Sequence, residues 1–333
     1  MTTQTLTNDC KFCSLVSKAN GEDPIGTANP ADGWVIVEIP QPWTKQSMMA
    51  HPALSQIFQA LGQGGRKLMP MAVAPNPKYS VPGLVRLLFY QRPNRPFARY
   101  DKQEFLVPEN QLAQLTEALL QQPNELDNFK TYQQSTSQIR DMMVCTHGNV
   151  DVACGRFGFP IYKQLSKYAA VSNGELRIWR CSHFGGHQFA PTLLDLPTGQ
   201  FWGHLEPEIL DCLVQRDTTV TELHGFYRGW AGVTKFEQMV ERELWMQYGW
   251  EWLNYNKSAQ VLAQDTSNES ENSPDWAEIR FEFTAINNSI KRAYEARVEV
   301  CGSVMTAFNS GNEQSLKEVK QYRVSKLTPI KSN

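Results

Sequence analysis

The chain has 333 residues, with 32 Lys or Arg against 34 Asp or Glu and a formal charge of −2. That length supports more than one core without disulfides, and so even a balance offers no global basic field for nucleic acid or anionic lipid. No stretch approaches the roughly 20 apolar residues that span a bilayer, and MTTQTLTNDCKF lacks the basic start and apolar core of a secretory signal, so a soluble cytoplasmic protein without membrane insertion is expected.

In chain order, GWVIVEIP (33–40) predicts a strand, HPALSQIFQALGQGG (51–65) a helix closed by glycine, and KLMPMAVAP (67–75) a buried strand. LVRLLFYQRP and YDKQEFLVP predict two more strands and ENQLAQLTEALLQQ (109–122) an amphipathic helix. The order then repeats. IRDMMVCTH (139–147) reads as a strand, FPIYKQLSKYAA (159–170) as a helix with Pro160 in its first turn, LRIWRCSH (176–183) as a strand, FAPTLLDLP and GQFWGHL as short strands, and EPEILDCLVQ (206–215) as a helix. Two successive β-α-β-β-β-α units imply an α/β fold of two related modules, each a mixed sheet with packed helices.

Past residue 220 the pattern changes. TKFE (234–237) has capping-box spacing, and Val233, Phe236, Val240, Leu244 and Tyr248 follow at helical intervals, with Trp245, Trp250 and Trp252 assigned to the same helix. These aromatics read as a packing face. QDTSNESENSPD (264–275) is polar enough for a linker, and IRFEFTAI, YEARVEVCG and KQYRVSKL alternate with the period of strands in a terminal antiparallel sheet. The domain division is thus 1–130, 135–220 and 221–333.

Chemistry concentrates in two runs. VCTHGNVDVACG (144–155) and WRCSHFGGHQFAP (179–191) together hold three of seven cysteines and three of six histidines. Both lie at strand ends, where loops can bring ligands together. Cys145 closes a strand, Cys154 is expected just before a helix whose N-terminus favours a thiolate, and His183 and His187 flank a Gly185-Gly186 pair that argues for a loop. Two Cys and two His suit either tetrahedral zinc or a [2Fe–2S] cluster with His₂ on one iron. The eight residues between the cysteines are wider than common zinc pairs and lean towards iron–sulfur. Cys145-Thr146-His147 and Cys181-Ser182-His183, both C-x-H, form a rival set, although a Rieske centre closes with C-x2-H, which neither run has.

VCTHGNVDVACGRFGFPIY, followed by LRIWRCSHFGGHQFAPTLLDLPTGQFWGHL, resembles the sucrase/ferredoxin-like family, whose metal domain is thioredoxin-like; NGEDPIGTA (20–28) resembles that family's N-terminal part. The resemblance to its bis-histidinyl branch implies Cys145 and Cys154 on one iron and His183 and His187 on the other, with His147 and Cys181 outside the ligand set. It further implies two thioredoxin-like modules, the first (1–130) without metal, the second (135–220) carrying the [2Fe–2S] cluster, followed by a helical and β extension (221–333). No pair of carboxylates forms a glycosidase motif.

The implied function is electron transfer or redox sensing, without catalytic residues, served by a redox partner that is either a reductase or an acceptor protein. Neutral imidazoles in place of two thiolates ease reduction and allow a proton to accompany the electron. Arg156, Arg177 and Arg180 are candidates to steer an acidic partner, and Trp179 and Trp202 to shield the cluster. A zinc-stabilised interaction module and a thiol or small-molecule oxidoreductase using Cys10 and Cys13 of CKFC are the alternatives. CKFC is read as part of a polar tail rather than a strand-to-helix turn, and Cys212 and Cys301 as packing residues.

Overall fold

The computed structural model describes residues 11–51, 53–56, 58, 66–267, 274–285, 291–311 and 315–331. The first half contributes β1 (Gly33–Glu38), β2 (Leu68–Val73), β3 (Val85–Gln91) and β4 (Asp101–Val107), with α1 (Cys13–Ala19) ahead of them, α2 (Lys45–Ala50) after β1, and α3 (Leu112–Leu120) after β4. The second half gives β5 (Arg140–Cys145), α4 (Val152–Val171), β6 (Leu176–Cys181), β7 (Leu193–Leu196), β8 (Gln200–Trp202) and α5 (Leu210–Gln215). Then come β9 (Tyr227–Trp230), α6 (Lys235–Tyr248) and the strands β10 (Asn256–Gln264), β11 (Trp276–Thr284), β12 (Lys291–Ala307) and β13 (Leu316–Ile330).

The two expected modules share one sheet. Its order is β4-β3-β1-β2-β6-β5-β7-β8-β9, so the arrangement around β1 and β2 recurs around β5 and β6. In each half the helix-linked pair is parallel, β1 with β2 and β5 with β6, and the next strand is antiparallel. The seam is the antiparallel pair Val73↔Cys181, reinforced by Ala74 N donating to Arg180 O at 2.9 Å and Ser182 N to Ala72 O at 2.8 Å. A buried ionic net crosses the halves. Arg177 bridges Glu104 of β4 and Asp141 of β5, and Lys102, Tyr90 and Trp179 also donate to Asp141. Breaking one member would strand buried charge, so the net enforces one register.

Alternation along β1 explains its complete burial. Trp34 and Ile36 enter the main core, while Val35 and Val37 enter a second core with Leu87 and Phe89 beneath Leu112 and Leu115 of α3; period-2 side chains fill both faces because both are covered. β10 to β13 form the expected antiparallel sheet, in that order. Helix α6 begins at the expected capping box of Thr234 and Glu237 and buries Phe236, Met239, Val240, Leu244 and Trp245.

Several boundaries differ from expectation. The helix placed at 159–170 starts at Val152, capped by the Asp151 side chain on Ala153 N at 2.8 Å, and encloses Pro160. Glycines at 155 and 158 hid its first turns. Helix α6 ends at Gly249 (φ +66°), so Trp250 and Trp252 lie in a following 3₁₀ turn. β9, β10, α1 and α2 were not foreseen; part of the helix expected at 51–65 and part of the linker at 264–275 lie outside the described residues. Among the described residues no helix is long and apolar enough to cross a membrane.

Candidate metal centre

Helix α4 and the ends of β5 and β6 build the centre. Gly158 lets the helix approach closely, since a Cβ there would lie 2.0 Å from the Cys145 carbonyl oxygen. With α4 this close and Cys154 in its first turn, the thiols of Cys145 and Cys154 and a ring nitrogen of His183 all come within 4.8 Å of one another. His183 Nδ1 is 4.0 Å from Cys145 Sγ. Both cysteines are buried. Hydrogen bonding from Cys154 and the proximity of His183 hold the Cys145 thiol well below its ordinary value, while the same bond and burial push Cys154 far up. Two thiols and one imidazole this close are suited to a soft or borderline metal.

His187 stands beside this group rather than inside it. Its ring centroid is 5.3 Å from that of His183, but its Nδ1 lies 3.6 Å from Cys13 Sγ and 3.4 Å from Asp151 Oδ2. Cys13, Asp151 and His187 form a second group with donor atoms within 4.8 Å of one another. Burial lowers the His187 pKa against the pull of Asp151.

The loop between the histidines needs its glycines. Gly185 and Gly186 have φ of +98° and +77°, the left-handed region that favours glycine, and a Cβ at Gly186 would meet Arg228 Nη2 at 2.2 Å. Arg228, 1% exposed, donates through Nη1 to Gly185 O at 3.0 Å, through Nη2 to Thr27 O at 2.7 Å and through Nε to Thr27 Oγ1 at 3.0 Å. Asn29 donates to Phe184 O at 2.9 Å. The PIGTA run thus holds the histidine loop from behind. Burial lowers the Arg228 pKa to about 10, opposed by its attraction to the Cys145 and Cys154 sulfurs. Sequence reasoning passed over Arg228, although one arginine inside the apolar run FYRGW was a signal.

His147 has both ring nitrogens committed. Nε2 faces Trp43 O at 2.7 Å and Nδ1 accepts from His183 N at 3.2 Å, so it supports the His183 backbone. Cys181 is paired in register with Cys145 but lies outside both donor groups. The rival C-x-H set is therefore not assembled.

Other expectations need correction. Arg177 is locked in the ionic net and 5% exposed, so it offers no steering charge, and the Arg180 guanidinium lies over Phe159; Arg156 is exposed. Trp179 is engaged by Asp141 and Tyr79, and Trp202 by Tyr227 and Trp245, so both rings are committed within the core. Cys13 is buried at the head of α1, not in a tail; Cys10 lies outside the described residues. Cys212 packs inside, whereas Cys301 is exposed. The centre's link to Cys13 was missed because it joins residues 174 positions apart.

The sequence profile of the sucrase/ferredoxin-like family matches residues 24–229. Comparison with curated proteins and with solved structures returns no match.

Proposed function

The chain belongs to the sucrase/ferredoxin-like family, and from that premise we propose that it is an electron-transfer or redox-sensing protein holding a [2Fe–2S] cluster through Cys145, Cys154, His183 and His187. The observation that carries this reading is the convergence of the Cys145 and Cys154 thiols with His183 within 4.8 Å, with His187 on the same short loop. The donor chemistry fits: thiolates suit iron–sulfur, and imidazoles can replace two of them. When bound, the cluster supplies one-electron chemistry.

The chain's own residues would tune that chemistry. Two neutral imidazoles leave the centre less negative than four thiolates, and Arg228 adds a buried positive charge near both cysteines; each favours uptake of an electron. At a pH where an outer histidine nitrogen has lost its proton in the oxidised state, that nitrogen would take a proton back as the electron arrives. Gly185 and Gly186 bring backbone close to the site, and burial of Cys145 and Cys154 excludes water. The redox partner, reductase or acceptor, would dock where Arg156 is exposed, beside Cys154.

A zinc site is the second reading, because three convergent donors also suit a tetrahedral ion. Anaerobic purification followed by a visible spectrum, iron, zinc and acid-labile sulfide assays, and low-temperature EPR after dithionite distinguishes the two. Two irons and two sulfides per chain are expected, lost in Cys145→Ser and Cys154→Ser, with a spectrum that shifts in the double variant His183→Cys, His187→Cys. Stoichiometric zinc without sulfide would overturn the electron-transfer reading.

A further inference from the structure

Cys13 and Asp151 meet at Nδ1 of His187, outside the donor group of Cys145, Cys154 and His183. Asp151 is fixed from three directions: its Oδ1 caps Ala153 N at 2.8 Å and accepts from Ser310 Oγ at 2.7 Å, and its Oδ2 accepts from Ser310 N at 2.8 Å. Both oxygens are thus used as acceptors, the arrangement of a carboxylate. Its Oδ2 lies 3.4 Å from His187 Nδ1 without the alignment of a hydrogen bond, and a carboxylate this near favours the tautomer that carries its hydrogen on that nitrogen. Cys13 completes the set. Its Sγ donates to His187 O at 3.6 Å and presents lone pairs to the same Nδ1 at 3.6 Å, while its backbone N donates to Ser310 Oγ at 3.1 Å. The ring's lone pair is thereby left on Nε2.

We propose that Cys13 and Asp151 are positioning residues that hold His187 as the Nδ1–H tautomer, making Nε2 its metal-binding atom. A histidine ligand held through its outer N–H by a carboxylate is fixed in both tautomer and ring orientation. This deepens the [2Fe–2S] reading and rests on it only for the identity of the metal. Cys13 and Ser310 lie outside the 24–229 family match, so the flanking segments of this chain supply the support.

The test begins on metal-free, full-length protein carrying ¹⁵N-histidine, with long-range ¹H–¹⁵N spectra above pH 7.5 and His187→Gln to assign the signals. Wild-type His187 should show the Nδ1–H pattern, although exposed neutral histidine favours Nε2–H. Asp151→Asn preserves a cap oxygen for Ala153 but turns an N–H₂ towards the ring, and should convert His187 to Nε2–H. Cys13→Ala should shift the His187 signals without reversing them. In iron-loaded, reduced protein, both variants should change the ¹⁴N couplings of one histidine in pulsed EPR while iron content falls less than twofold. An Nε2–H pattern in wild type, or signals and couplings unchanged in both variants, would overturn the proposal. A wild type that binds no iron or sulfide instead overturns the cluster reading, while the tautomer of the metal-free chain still decides this one. If Cys13→Ala does not fold, Asp151→Asn carries the test alone.

Discussion

Gly186 shows how little room the histidine loop has. A side chain there would occupy the left-handed region, at about 1–2 kcal/mol for the backbone alone, and would collide with an Arg228 guanidinium that is itself buried and hydrogen-bonded on three sides. Gly186→Ala is therefore expected to lower the melting temperature by several degrees and to reduce bound iron severalfold, measured by thermal unfolding and metal analysis on the same preparation. Residues of this kind divide by the range of their partners. Cys145, Cys154 and His183 were legible because each sits at a predictable strand or helix end and the spacing within each run is local. Cys13, Arg228 and Ser310 were not, since their roles exist only through contacts with segments far away in the chain. His187 falls between: its place on the loop was readable, its commitment to Asp151 and Cys13 was not.

At the level of elements, α4 carries the geometry of the centre. Extending the helix back to Val152 places Cys154 in its first turn, and Gly158 sets how closely that turn approaches β5. Adding a methyl group at Gly158 puts carbon 2.0 Å from a backbone carbonyl, which no rotamer change relieves, so overpacking of about 1–3 kcal/mol should exceed the roughly 1 kcal/mol that alanine gains in helix propensity. Gly155→Ala is the control, because its Cβ would meet Gly148 Cα at 3.2 Å and N at 3.6 Å, contacts that a shift of a few tenths of an ångström relieves. We expect Gly158→Ala to lose stability in denaturant titrations and to bind less iron, with Gly155→Ala near wild type in both. The strands of the nine-stranded sheet were readable where burial makes them continuous apolar runs or alternating ones. β9 was missed because four residues around a glycine, Tyr227–Trp230, carry too short a pattern, and α4's start because glycine usually argues against a helix.

Across the whole molecule, His204 links the N-terminal segment to the sheet. It is 6% exposed, its Nε2 lies 3.2 Å from Ser17 Oγ of α1, and its N donates to Phe189 O next to the histidine loop. Burial, with lesser contributions from Lys18 and Arg228, lowers its pKa from 6.5 to about 4. The unfolded chain therefore binds the proton more readily between those values, and stability rises with pH across that window. At about 1.4 kcal/mol per unit this single group contributes about 3 kcal/mol at neutral pH that is lost as pH falls from 6.5 to 4. Unfolding free energies measured over that range should decline accordingly, and more shallowly in His204→Gln. The recurrence of a parallel pair flanked by an antiparallel strand was legible from the repeated element order, but the junction of both sets in one sheet through Val73 and Cys181 was not, because edge-to-edge pairing leaves no periodic mark in either strand.

The separation of 297 positions between Cys13 and Ser310 also imposes an order of arrival. A ribosome releases Cys13 long before Ser310 exists, and in the interval the first and second halves of the nine-stranded sheet are both synthesised. The inner thiols can gather, and the N-terminal helix can reach His187 and His204, while the brace of His187 is still missing its hydroxyl clasp. Completion of the brace around His187 is thus a late event in the life of the nascent polypeptide.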